Sequence, residues 1–215
     1  MFADVKQYTA EHGVQLIAVT KTRSIDEIMT LYNQGQRHMG ENRVQELLAK
    51  KDQLPGDIYW HLIGHLQSNK VKYVVPFIHL IHSVDSLDLY KTIAKEAEKV
   101  GRTIDVLLQF HIAQEETKFG LSVEEAEEIA IYHTTRQITS VRIRGVMGMA
   151  TLTHDETQIR KEFATLKQYF DQFKSGFFEG DDNFREISMG MSSDYQLAIN
   201  EGSTMVRVGS LLFEK

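Results

Sequence analysis

The sequence contains no cysteine. That absence excludes disulfides, thiolate nucleophiles and cysteine-ligated metals together. Basic charge is also short, with 24 Lys and Arg against 30 Asp and Glu and a net charge of −6. The basic residues are scattered, so the electrostatic footprint of a nucleic-acid binder is missing. No apolar run approaches the roughly 18–20 residues that a membrane span needs. The opening Met1–Tyr8 mixes polar and apolar residues and does not read as a signal peptide. A cytoplasmic location with no membrane partner is the expectation. No Gly-x-Gly-x-x-Gly follows the first apolar run, which weighs against a Rossmann site.

What is present is an ordinary globular composition, 42% hydrophobic and 25% charged over 215 residues. One domain spanning residues 1–215 is expected, with volume for a sizeable core. The first apolar run, Gln15–Thr22, reads as a strand buried on both faces. Alternation puts Ile17, Val19 and Lys21 on one side. Lys21 at its C-terminal end is either a cofactor tether or a charge reaching for solvent.

Strand and helix signals then alternate. Ser24-Ile25-Asp26-Glu27 is a capping-box arrangement opening an apolar helical stripe. Further strands are expected at 38–42, 59–64, 80–84, 104–112, 143–150, 187–191 and 205–208. Helices are expected at 69–75, 86–100, 155–173 and about 194–200, with one capped by Ser122 and a last short one beginning at Leu211. Eight strands alternating with helices imply parallel pairing and right-handed crossovers. A closed (β/α)8 barrel is the reading, and an open doubly wound sheet the alternative.

In such a barrel, chemistry collects at the C-terminal ends of the strands. Lys21, Asn42, His61 with His65, His82, His111, Ser192, Arg207 and Ser210 are all expected at that rim. Arg207 lies between two valines expected to be buried and must find an anion or an acceptor. Gly209-Ser210 follows it and opens a helix, so the segment reads as a phosphate cradle or as an arginine ion pair beside a glycine turn. Ser192 is either a phosphate hydroxyl or a helix N-cap. Residues 115–120 read as a charged loop or as the carrier of a second lysine, Lys118. The nine histidines give no metal-binding helix pair: Gly64 separates His61 from His65, and His79 and His82 straddle a strand facing opposite ways. No metal site is expected.

Six segments stand in order: Ala18-Val19-Thr20-Lys21-Thr22, Gly40–Glu46, Trp60–Lys70, Gly145–Ala150, Ser188–Asp194 and Gly202–Gly209. Together they resemble the pyridoxal phosphate homeostasis protein family over nearly the whole chain. The resemblance implies a single barrel like the N-terminal domain of alanine racemase, the type III fold of pyridoxal 5′-phosphate (PLP) proteins, without that enzyme's C-terminal β-domain. It implies a Schiff base between Lys21 and PLP, and Arg207 facing the pyridine nitrogen. It further implies Ser192 with the Gly209-Ser210 backbone on the phosphate, Asn42 as a ring-side contact, and Lys118 as a residue that hands PLP on. Leu62, Met39 and Ser24 depart from the family's usual residues, which touches packing and a helix start rather than cofactor chemistry.

The function implied is reversible PLP capture, buffering the aldehyde and supplying apo-enzymes, by a monomer that is not itself a catalyst. An arginine at the ring nitrogen weakens the electron sink a PLP enzyme needs, and no residues remain after strand eight for a domain carrying a second base. The alternatives are a monomeric PLP-dependent amino-acid racemase and a PLP-free barrel that binds a sugar phosphate.

Overall fold

The computed structural model describes residues 1–115 and 119–213. Eight parallel strands close on themselves in sequence order. They are β1 (Gln15–Val19), β2 (His38–Glu41), β3 (Tyr59–Leu62), β4 (Leu80–Val84), β5 (Ile104–Gln109), β6 (Val141–Met147), β7 (Glu186–Ser188) and β8 (Met205–Val208). Closure is made by β1 on β8, where Ile17 pairs with Arg207. The closed (β/α)8 reading therefore holds and the open sheet does not.

The helices that wrap the barrel are α1 (Phe2–Glu11), α2 (Ile25–Asn33), α3 (Val44–Lys51), α4 (Val71–Val74), α5 (Leu87–Lys99), α6 (Val123–Thr135), α7 (Glu156–Gly176), α8 (Tyr195–Asn200) and α9 (Ser210–Phe213). Their starts follow the sequence signals. Ser24 and Ser122 each accept the N3 amide while Glu27 and Glu125 reach back to the cap nitrogen. Each such cap contributes about 1 kcal/mol. Among the described residues no helix is long and apolar enough to cross a membrane.

Two layers of core result. The larger lies between sheet and helices, where Leu16, Ala18, Val206 and Val208 point outward to meet residues such as Ile28, Leu47 and Phe163. The smaller fills part of the barrel interior with Leu80, Leu107, Met147 and Met205, against which Met149 packs. Beside that apolar plug stands a polar column of His61, His82, Ser188 and Arg207, each at most 3% exposed. Its members are hydrogen-bonded one to the next in that order.

Several strands end earlier than their apolar runs. β1 stops at Val19 rather than at Lys21, β3 at Leu62 and β7 at Ser188. β6 is shifted N-terminally, to Val141–Met147 instead of 143–150. For β7 the reason is local. Gly190, at φ +94°, turns the chain off β7, and its carbonyl accepts the Arg207 amide at 2.9 Å. At Gly145, φ +147°, the backbone of β6 runs so close to β7 that a Cβ would fall 1.9 Å from the Glu186 carbonyl oxygen. Only glycine permits that approach.

Candidate binding site at the barrel mouth

A cavity of about 490 Å³ opens at the C-terminal ends of the strands, lined by Lys21, Asn42, Ser192, Arg207, Gly209 and Ser210 among others. Those six are the ligand-binding candidates of the sequence, brought together from β1, β2, β7 and β8. The seventh, Lys118, lies in residues 116–118, outside the described residues.

Lys21 is not on the strand. The β1–β2 ladder continues as far as the Thr20 amide, which donates to the Gly40 carbonyl at 2.9 Å. The chain then turns, leaving Lys21 exposed at the cavity wall and Thr22 at φ +62°. A β-branched residue in that conformation is strained and must be held. The Thr22 amide donates to the Glu46 carboxylate. Lys50 Nζ bonds that same carboxylate at 2.6 Å, Glu41 Oε1 at 2.8 Å and the Thr20 carbonyl at 2.7 Å. The Thr20 hydroxyl completes the set with a 2.6 Å bond to Glu41. Two carboxylates and a nearly buried ammonium thus clamp the turn that presents Lys21. Burial raises the Glu41 carboxyl above its usual value despite the opposing pull of Lys50 and Thr20.

Arg207 is 3% exposed. It donates from Nη1 to the Ser188 hydroxyl at 2.6 Å and from Nη2 to the Gly148 carbonyl at 3.0 Å. Burial lowers its pKa to about 10, so at neutral pH it remains a cation that only donates. On the same wall the Gly209 amide donates to the Ser192 hydroxyl at 3.1 Å. A Cβ at Gly209 would sit 3.3 Å from Val19 Cβ, tight enough that a neighbour must give. The helix-capping reading of Ser192 is replaced by this contact; the N-cap of α8 is Asp194.

The structure also sorts the other candidates expected at the rim. His65 lines the cavity. Its Nδ1 meets Asp85 at 2.8 Å, and its ring stacks on Phe119 at 4.3 Å. Gln109, Met149 and Phe119 line the cavity as well and were not singled out by their sequence context. Their signal was the barrel itself, since each follows or ends a strand. His111 faces a separate depression. His61 and His82 are in the barrel interior, 0% exposed, rather than at the rim. The expectation that His79 and His82 diverge across β4 also needs correcting, because both pack against His61, with ring centroids 5.2 and 5.1 Å away.

The family model for the alanine racemase N-terminal domain matches residues 2–214. A pyridoxal phosphate homeostasis protein of Helicobacter pylori is 40% identical over 97% of this chain and 90% of its own length. The chain belongs to the pyridoxal phosphate homeostasis protein family. Its Aquifex aeolicus member is 38% identical over 94% of this chain and 87% of its own. Among solved structures, PipY of Synechococcus elongatus without PLP superposes with a TM-score of 0.89 at 36% identity, covering all of both chains. The same protein with PLP bound gives 0.86 at 35%, again over all of both chains. Alanine racemase of Bartonella henselae shares the fold, at a TM-score of 0.75 and 16% identity over 98% of this chain and 59% of that one.

Proposed function

We propose that this chain captures PLP reversibly on Lys21, buffering the free aldehyde and supplying it to apo-enzymes. The observation that carries the reading is the convergence of Lys21, Asn42, Ser192, Arg207, Gly209 and Ser210 on one cavity. Its volume, about 490 Å³, is in the range that holds a small cofactor. The donor set suits the group: an amine for the aldehyde, a hydroxyl and a backbone amide for the phosphate, and a buried guanidinium for the ring. The kinship with a family member solved with PLP bound supports the same assignment.

PLP supplies an electrophilic aldehyde and, when its ring nitrogen is protonated, an electron sink. Arg207 works against the second property. As a donor fixed by Ser188 and Gly148, it requires an acceptor facing it, so a nitrogen placed there stays unprotonated. The Gly209 amide donates to the Ser192 hydroxyl, and both would donate to a phosphate held there. Asn42 borders the ring-side wall. Lys118 follows β5 in sequence and is proposed to act in release.

Capture rather than turnover is the reading because the described residues of the cavity wall include no tyrosine, aspartate or glutamate to act as a second base. One observation favours a racemase-like second reading: the His65–Asp85 pair at the mouth has the form of an oriented base. Two assays separate the readings. PLP binding measured by equilibrium dialysis is expected to fall at least about a hundredfold in Lys21→Ala, while inorganic phosphate and simple sugar phosphates compete poorly. Chiral analysis of amino acids incubated with the PLP-loaded protein is expected to show no racemisation above the Lys21→Ala control. Turnover that disappears in both Lys21→Ala and His65→Asn would establish the racemase instead.

A further inference from the structure

At the opposite end of the barrel, away from the cavity just described, three histidines meet. His38 is the first residue of β2, His61 lies within β3, and His79 immediately precedes β4. One ring nitrogen from each lies within 4.8 Å of the others. We propose that His38, His61 and His79 form a binding site for a divalent transition-metal ion of the zinc class at the N-terminal mouth of the barrel.

Three imidazoles with one open position are a recurrent zinc donor set. The three differ in exposure. His61 is fully buried, His38 half-buried and His79 exposed. His38 Nδ1 and His61 Nε2 face each other at 2.9 Å. Two nitrogens on one tetrahedral zinc are roughly 3.3 Å apart, given Zn–N bonds of about 2.0–2.1 Å. The fixed pair therefore opens by a few tenths of an ångström, and the larger movement falls to the exposed His79. His38 and His79 line a depression that also borders Asp105, Arg144 and Glu186, and the buried His61 is reached behind them through its contact with His38. Asp105 is held by Arg142 and Arg144, and Glu186 by Arg144 and Arg185, so the carboxylates balance arginines and leave the imidazoles as donors.

The buried ligand also has the outer support that metal-binding histidines ordinarily have. His61 Nδ1 meets His82 Nε2 at 2.9 Å, and His82 Nδ1 meets the Ser188 hydroxyl at 2.9 Å. The ring tautomers set the direction of this file. In one order Ser188, which accepts from Arg207, donates to His82, which donates to His61, which donates to His38. A cation on His61 Nε2 reverses that order. The His61 proton moves from Nε2 to Nδ1 and the His82 proton from Nε2 to Nδ1. Ser188 then accepts from His82 and from Arg207, with no net proton gained or lost. The metal site and the Arg207 wall are thus joined by a single hydrogen-bonded file.

The test uses the full chain, freed of metal with a chelator and titrated with cobalt(II), whose visible d–d bands report four-coordinate geometry. One cobalt per chain is expected, displaced by an equivalent of zinc. His79→Ala and His38→Gln alter the accessible ligands and are each expected to weaken binding at least about tenfold, with circular dichroism verifying that they fold. Lys21→Ala, at the other end of the barrel, is expected to titrate like wild type. The proposal is overturned if wild type develops no such bands at saturating cobalt. Titration of the two histidine variants indistinguishable from wild type overturns it too, as does loss of binding in Lys21→Ala.

Discussion

The guanidinium of Arg207 and the hydroxyl of Ser188 are joined by a 2.6 Å bond inside the barrel, linking the floor of the candidate PLP cavity to a column of buried histidines. Arg207→Met removes this bond and the one to the Gly148 carbonyl, leaving that acceptor buried and unpaired. A loss of about 1–3 kcal/mol in urea unfolding is expected, together with weaker PLP retention in dialysis. Arg207→Met that keeps both wild-type stability and PLP affinity contradicts the placement of Arg207 at the cofactor wall.

The histidine column makes stability fall on acidification. His61 and His82 are held well below the ordinary value of 6.5, first by burial and then by neighbouring histidines and Arg207. Below pH 6.5 the unfolded chain binds protons that the folded chain refuses, so their contribution is present above that pH and lost beneath it. These two groups alone give a slope approaching about 2.7 kcal/mol per pH unit between their unfolded and folded values, to which His38, brought down to about 4, and His79 add. Urea melts at pH 7.5 and 5.5 measure it. His82→Asn is expected to lessen the slope by about one proton, and an unchanged slope would show that His82 titrates normally.

Glu41 works in the other direction. Burial raises its folded pKa above the ordinary 4.5, so its contribution is full below that pH and is lost as pH rises through the folded value. Lys50 offsets part of that burial cost. Lys50→Met strands the carboxylate, with an expected loss of about 3–5 kcal/mol at neutral pH. The defect should shrink toward pH 4.5, where Glu41 takes up a proton. Chemical denaturation at several pH values tracks it; a defect independent of pH would mean that Lys50 acts through packing alone.

Gly190→Ala tests the turn between β7 and the Ser192 segment. A Cβ there would lie 2.6 Å from Ala198 Cβ and 3.0 Å from the Tyr195 backbone, at φ +94°. A stability loss of about 3 kcal/mol is expected from strain and overpacking combined. PLP affinity should fall with it, because the same turn sets the Ser192 hydroxyl against Gly209. Wild-type melting of this variant would contradict the close packing of α8 on β7 and β8.

Much of this was legible in the sequence. The β4 and β8 boundaries and the Ser24 and Ser122 caps were recovered because short apolar runs and capping boxes are local signals. Six of the seven ligand-binding candidates share one cavity because strand ends in a closed barrel share one rim. The misses were of two kinds. Apolar runs overstated β1, β3 and β7, since a buried residue after a strand looks the same in sequence as one within it. The histidine cluster was hidden because its members belong to three adjacent strand units, and chain spacing says nothing about neighbours across a ladder. His79 and His82 diverge by alternation, yet both reach the His61 ring.

Lys21, presented on a strained turn by Thr22, Glu46 and Lys50, is the proposed holder of PLP. Borohydride reduction of the PLP-treated chain, with peptide mapping of the modified lysine, tests it most directly. One pyridoxyl group per chain is expected, on Lys21, with loss of the visible absorption band in Lys21→Ala. Stoichiometric labelling of a different lysine, or a band that survives in Lys21→Ala, would contradict it.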